Sequence, residues 1–214
     1  RRRYALVLPR DRKGKSMSEQ YFTSAPTSAH EERHVQFQAG SCCLRFETDA
    51  GTFSKGHLDP GSRLLIDTVP NMTGRCADIG CGWGAIGAAL AALNPELFVE
   101  MVDVNERAVA LAQKNLETNR LANARAYLSD ALTGVESGLD FCVTNPPIRA
   151  GKAVIYGFFT QAAEKLKPGG KLYIVIRKQQ GAPSAMKYLA TIFEKVSVLE
   201  KEAGYWIIEA IRAE

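Results

Sequence analysis

The sequence has no run of 18 or more apolar residues, which excludes a membrane-spanning helix. Its three histidines, His30, His34 and His57, form no HExxH and carry no Ser/His/Asp signature around them, so a zinc or serine hydrolase finds no support. The five cysteines, Cys42, Cys43, Cys76, Cys81 and Cys142, are odd in number, and none are spaced as CxxC. Neither a disulfide framework nor a structural zinc site follows from them, and a reducing cytoplasm is the expected compartment. The opening RRRYALVLPRDRKGKS is basic like the start of a signal peptide, but its apolar stretch over residues 4 to 9 is too short and no small-residue cleavage site follows, so secretion is not expected. Internal repeats and low-complexity tracts are also missing.

What is there is an ordinary globular composition: 214 residues, 46% hydrophobic and 23% charged. A single core of this size buries roughly 70% of the unfolded chain's surface, so one compact domain is the default. The net charge of +4 is unevenly spread. Residues 1 to 16 carry seven basic side chains against Asp11 alone, while the other 198 residues hold 20 basic and 22 acidic and are slightly negative. That tail is either an arm that neutralises phosphates or an extension outside the native protein, since Met17 is itself a candidate start.

Along the chain, VQFQA and CCLRFET on either side of Gly40 and Ser41 read as a hairpin, and TFSKGHLDPG reads as a loop before a helix opened by Pro60. From residue 75 strands and helices alternate. RCADI, FVEMVDV, ARAYLSD, LDFCVTN and KLYIVIRK read as strands. GAIGAALAALN, NERAVALAQKNLETNR with Asn105 as N-cap, FFTQAAEKLKPGG closed by Pro-Gly-Gly, and APSAMKYLATIF read as helices. VSVLEKEA and YWIIEAIRA form a terminal antiparallel pair around Gly204. This is an α/β chain with a mostly parallel sheet and helices on both faces, whose ligands gather at the carboxyl ends of the strands near the switch point.

The unusual residues sit at those strand ends. In DIGCGWGAIG, Asp78, Gly80, Gly82, Gly84 and Gly87 lie between a strand and a helix, where glycines let the backbone turn and approach a ligand. GWGAIG alone would also match a dinucleotide loop or a plain turn. Asp78 stands before the glycines, where a carboxylate repels a pyrophosphate but suits an ammonium and a sulfonium. Asp103, 25 residues later in MVDVN, can accept from two ribose hydroxyls of either cofactor type. NPPI, Asn145 to Ile148, ends the fourth strand. The amide oxygen of Asn145 and the carbonyl of Pro146 can accept both hydrogens of an exocyclic amine, two prolines stiffen that backbone, and Ile148 can pack on the target plane. Arg149 and Lys152 after it, and Arg177, Lys178, Gln179 and Gln180 after the fifth strand, can contact RNA phosphates or be solvated charge. His57 and Asp59 either orient a ligand or serve a turn and helix cap. Trp83 either shields a cofactor or packs in the core. Cys81 has no evident base beside it and is no candidate nucleophile.

DIGCGWG, MVDVN, LSDAL and TNPPI in this order resemble the class I S-adenosylmethionine-dependent methyltransferases of the small-domain type. GTFSKGHLDPGSRLL, NPPIRAGK and RKQQGAPSAM add a closer similarity to bacterial 16S ribosomal RNA guanine-N2 methyltransferases and their single-domain relatives. The resemblance covers about residues 18 to 214. It implies a Rossmann-like seven-stranded sheet with an antiparallel last strand behind an N-terminal hairpin, residues 17–58 forming the arm and hairpin and 59–214 the cofactor-binding core. It places Asp78, Gly80 and Gly82 at the methionine end of S-adenosylmethionine, Asp103 at the ribose, Asp130 and Ala131 at the adenine, and Asn145 to Ile148 at the guanine amine, with Cys81, Val104 and Asn145 also counted among the cofactor-binding residues. Phe53, Ser54 and Lys55 occupy a segment that closes over cofactor and target. The implied partner is RNA, most often ribosomal RNA, with no metal and no membrane. Methylation of a protein glutamine amide, methylation of adenine in nucleic acid, and a non-catalytic RNA-binding module of the same fold are the alternatives.

Overall fold

The computed structural model describes residues 33–48 and 57–214. The basic stretch 1–16, Phe53, Ser54 and Lys55 lie outside the described residues. Alternating polar and apolar side chains give the expected hairpin of β1 (Arg33–Ala39) and β2 (Cys42–Thr48), with Ala39 opposite Cys42 across the turn. Its inner face buries Val35, Leu44 and Phe46. Helix α1 (Pro60–Thr68) follows, with Asp59 as N-cap and proline in its first turn.

Seven strands then build one sheet: β3 (Gly74–Ile79), β4 (Leu97–Asp103), β5 (Ala124–Leu128), β6 (Leu139–Thr144), β7 (Leu166–Arg177), β8 (Lys195–Glu202) and β9 (Tyr205–Ile211). Their spatial order is β5-β4-β3-β6-β7-β9-β8. Strands β3 to β7 are parallel to one another, and the last strand, β9, runs antiparallel to both β7 and β8, as the sequence implies. The chain steps outward from β3 to β5, then returns to place β6 on the other side of β3. The carboxyl ends of β3 and β6 therefore adjoin at the switch point, where ligands of such sheets bind. Thr144 ties these ends together, its buried hydroxyl donating to the Ile79 carbonyl at 2.8 Å.

Helices α1, α2 (Ala85–Leu93) and α3 (Glu106–Thr118) share one apolar cluster with the hairpin, through Leu65, Leu90, Leu116 and Phe46. The opposite face is packed by α4 (Lys152–Lys165) and α5 (Ala182–Leu189). The connection 129–138 contains no helix. On that face of β3, β4 and β5 the buried Glu100 gathers Arg75, Arg125 and the Tyr127 hydroxyl. Burial pushes its carboxyl up, but these three donors prevail and hold it below the usual range. Among the described residues no helix is long and apolar enough to cross a membrane.

Three boundaries differ from the sequence reading, the simplest being α5, which ends at Leu189, four residues short of the expected APSAMKYLATIF. Helix α4 starts at Lys152, one and a half turns before FFTQ, because Gly151 at φ +90 ends the preceding 3-10 turn and lets the helix begin there. Ile155, Phe158, Phe159 and Ala162 then face the sheet at helical spacing. The Pro168-Gly169-Gly170 stop lies within the bounds of β7, where the register against β6 is irregular between Leu139 and Phe141.

Candidate active site

The loop between β3 and α2 is shaped by its own backbone. The amides of Gly80 and Cys81 both donate to the Val102 carbonyl at the end of β4, at 2.8 and 3.0 Å. Gly84, at φ +94, is the N-cap of α2, and a side chain there would strike Met101 and Ala112. At Gly82, φ +56, a Cβ would meet nothing within 4 Å, so the loop opens onto free space at that point.

Two carboxylates flank this loop. Asp103 accepts from the Gly82 amide at 3.0 Å through one oxygen and from the Asn105 amide at 2.9 Å through the other. Burial raises its pKa against the opposing pull of these amides. Asp78 is deeper: it is 1% exposed, Oδ2 accepts from the Gly87 amide of α2 at 2.9 Å, and Oδ1 has no partner. Burial, partly countered by the Gly87 amide and reinforced by the negative Asp103, pushes its carboxyl up to about 7. A buried carboxylate oxygen left unsatisfied is costly and fits a site made for a cationic group. The residues thus suit S-adenosylmethionine on the chemistry of the donor set: an orphaned carboxylate oxygen, a second carboxylate with spare lone pairs, and open space over glycine.

Beyond Asp103, Val104 is half exposed at the end of β4 and Leu128 is exposed at the end of β5. Two large apolar side chains left open at neighbouring strand ends offer a surface for a flat ring. Leu128 escaped the sequence reading because it looks there like any strand residue. Asp130 is exposed at this rim, its carbonyl accepting from Thr133, and Ala131 is buried with φ +46. The Cys81 thiol is buried, and desolvation together with Asp103 and Asp78 raises its pKa, so it stays protonated and unreactive.

Asn145 follows β6 directly and is half-buried; Pro146 is buried, Pro147 and Ile148 are half-buried, and Ile148 opens the short 3-10 turn Ile148–Ala150. The Asn145 amide nitrogen donates to Asp59 Oδ2 at 2.7 Å and to Ser62 Oγ at 2.9 Å. Asp59 also caps α1, accepting from the amides of Gly61 at 3.1 Å and Ser62 at 2.8 Å. The sequence weighed a capping role for Asp59 against an orienting one, and the cap is what its backbone partners show. Arg149, Lys152 and Lys178 are exposed on the same rim. The Arg177 guanidinium lies over the Tyr205 ring, 4.4 Å from its centroid.

Trp83 packs rather than shields: it is 3% exposed and meets Phe46 edge-on. The residue that sequence reasoning missed here is Asn115 of α3, fully buried. Its side chain accepts from the Glu47 amide at 2.8 Å and donates to the carbonyls of Glu47 at 2.9 Å and Trp83 at 2.8 Å. One turn on, Asn119 does the same for both backbone groups of Arg45. The side-chain amides of Asn115 and of Asn119, the C-cap of α3, thereby close the open edge of β2 as a strand would, and Asn115 clips the glycine loop to the hairpin. Asn115→Ala is expected to destabilise the protein by about 2–4 kcal/mol, because it strips partners from three backbone groups at once. Urea denaturation measures this, and a change below about 0.5 kcal/mol would contradict the brace.

Among the described residues no group of three or more His, Cys, Asp or Glu is placed to hold a metal ion. The model of the methyltransferase small domain family matches residues 43–209. An uncharacterised Bacillus subtilis protein, YbxB, is 44% identical over 91% of this chain and 98% of its own length. The ribosomal RNA small subunit methyltransferase C of Vibrio parahaemolyticus is 36% identical over 80% of this chain and 50% of its own length. A solved 16S rRNA guanine N2 methyltransferase from T. thermophilus, in complex with AdoMet and guanosine, superimposes with a TM-score of 0.76 at 29% identity, covering 88% of this chain and 52% of that one. The chain thus spans about half the length of these ribosomal RNA methyltransferases. By its motifs, its sheet and these matches, the chain belongs to the methyltransferase small domain family, whose cofactor is S-adenosylmethionine.

Proposed function

We propose that this protein transfers a methyl group to the exocyclic N2 amine of a guanine in RNA, with ribosomal RNA of the small subunit as the substrate class. The observation that carries the reading is the Asn145 amide, whose nitrogen is spent on Asp59 and Ser62, so that its oxygen is the atom left for a substrate. That oxygen and the Pro146 carbonyl are acceptors only, and together they match the two hydrogens of a planar amine. The T. thermophilus relative, solved with guanosine, supports guanine as the base.

When bound, S-adenosylmethionine supplies an electrophilic methyl group on a sulfonium. Asp78, with its unpartnered oxygen, would hold the ammonium of the methionine end, Asp103 the ribose hydroxyls, and Val104, Leu128 and Ala131 the adenine. The chain's remaining work is positioning and electrostatic complementarity. The acceptor pair fixes the amine and favours the pyramidal nitrogen that attack requires, while Ile148 covers one face of the base. As the nitrogen gains positive charge it sheds one proton, which the Asn145 oxygen or water takes, so no dedicated base is needed. The exposed Arg149, Lys152 and Lys178 would meet phosphates next to the target.

The test is transfer of label from radioactive S-adenosylmethionine by the purified protein to small ribosomal subunits, naked 16S ribosomal RNA, or the ribosomal protein fraction. Digestion to N2-methylguanosine is the expected result. Label in N6-methyladenosine or in a glutamine amide would replace the reading with one of its alternatives, and no stabilisation by S-adenosylmethionine in a thermal-shift assay would point to a non-catalytic module.

A further inference from the structure

We infer that Asp59, with Ser62, is a positioning residue that makes Asn145 a hydrogen-bond acceptor toward the substrate. The inference rests on the reading of Asn145 as the clamp for the target amine. A primary amide is two-sided, and a half-turn of its terminal torsion exchanges donor for acceptor. A loosely held asparagine would present either side, and only one of them suits an amine. In this fold both amide hydrogens of Asn145 are engaged, one by a carboxylate oxygen at 2.7 Å and the other by a hydroxyl at 2.9 Å. Turning the amide over would face its oxygen onto Asp59 Oδ2 and exchange that bond for repulsion, whereas the Ser62 hydroxyl can donate as well as accept, so the carboxylate sets the orientation and the hydroxyl adds anchoring. The amide is therefore locked with Oδ1 outward.

Asp59 can act as a fixed wall because it is itself over-determined. It is buried, its two oxygens accept from the amides of Gly61 and Ser62, and the Tyr205 hydroxyl donates to Oδ1 at 3.3 Å. The N-terminus of α1, the start of β9 and the loop after β6 thus converge on one carboxylate, across 86 residues of sequence from Asp59 to Asn145. Because the locked face offers only lone pairs, the site selects targets that bring N–H groups and rejects a ring edge that brings a carbonyl.

Asp59→Ser separates the cap from the wall: serine caps a helix as well as aspartate does, yet its hydroxyl is too short to reach Asn145. Two readouts decide. In nitrogen-15 spectra of the apo protein the Asn145 side-chain amide protons are expected to exchange slowly and to lose that protection in Asp59→Ser. In methyl transfer, on whichever RNA substrate the unaltered protein modifies, kcat is expected to fall roughly 10- to 100-fold, less than outright loss of the transition-state contact because the Asn145 amide is misoriented only part of the time, with the affinity for S-adenosylmethionine unchanged. The same substitution in an Asn145→Ala background should cost nothing further, whereas a merely structural role would cost the same in both backgrounds. An unprotected Asn145 amide in the unaltered protein, an unchanged kcat in Asp59→Ser, or additive losses would overturn the inference. Should Asp59→Ser not fold, Ser62→Ala leaves the cap intact; it should lower kcat about 3- to 10-fold, the effect of one hydrogen bond, and an unchanged kcat overturns the inference equally. Full turnover by Asn145→Ala itself would instead remove the clamp reading on which the inference stands.

Discussion

Asn145→Ala is expected to lower turnover about 10²- to 10³-fold, the usual effect of removing one preorganised group from a charge-developing site. The amide oxygen accepts more strongly as the amine becomes cationic, so its contribution is made in the transition state and appears in kcat rather than in binding of the cofactor. Calorimetry should give an S-adenosylmethionine affinity within a few-fold of the unaltered protein. The fold should also survive, because the lost bonds leave Asp59 with its two amide donors and the Tyr205 hydroxyl. An enzyme that retains full turnover without Asn145 would not be using the clamp.

The second large effect concerns Asp78 and pH. Its carboxyl, at about 7 in the folded apo protein against 3.8 as the ordinary value, keeps its proton between about pH 4 and pH 7 while the unfolded chain has lost it. The folded state therefore binds more protons across that window, and this group makes the apo protein less stable as pH rises from about 4 to about 7, with no further change above. Cofactor binding runs the other way, because an ammonium requires the ionised carboxylate. Affinity for S-adenosylmethionine is expected to rise with pH up to about 7, close to tenfold per unit below it. Asp78→Asn should remove both dependences in this range and weaken the cofactor roughly 10- to 100-fold, the value of a hydrogen bond between charged partners. Calorimetric titrations from pH 5.5 to 7.5 check the sign. An affinity flat across that range would mean that Asp78 does not face the ammonium.

These effects show which parts of the site the sequence discloses. Elements with local signals are readable: the strand runs from RCADI onward, Asn105 as the cap of α3, and the terminal pair around Gly204 all depend on neighbours a few residues away. The start of α4 carries little local helix signal, because Val154 and Ile155 are β-branched and Gly151 acts here as a helix starter rather than a breaker. Pro168-Gly169-Gly170 read as a stop, but an irregular register lets the strand accommodate it. Asp78 and Asn145 stood out because each closes a strand next to glycine or proline, and Asp103 because it ends the next strand, 25 residues after Asp78. Their partnerships did not: Asp59 was visible as a cap or an orienting residue but not as the partner of Asn145. Asp59 meets Asn145 and Asn115 meets Glu47 and Trp83 only after the sheet has assembled, and nothing in the local sequence separates these residues from an ordinary cap or a polar helix position.

The division has a physical origin. Backbone-shaping residues act within a turn and leave a pattern, whereas a hydrogen bond between side chains 86 residues apart depends on topology. Exposed charge behaves similarly: the net +4 comes from residues 1 to 16, so an RNA substrate would be met by the acceptor pair and its basic rim rather than by overall charge.

The identity of the methylated atom decides the proposed activity most directly. Small-subunit ribosomal RNA from cells with and without the gene, digested and mapped by mass spectrometry, should differ by the loss of one N2-methylguanosine, restored by the unaltered protein but not by Asn145→Ala. Identical maps from the two strains, or a difference confined to another modified base, would contradict it.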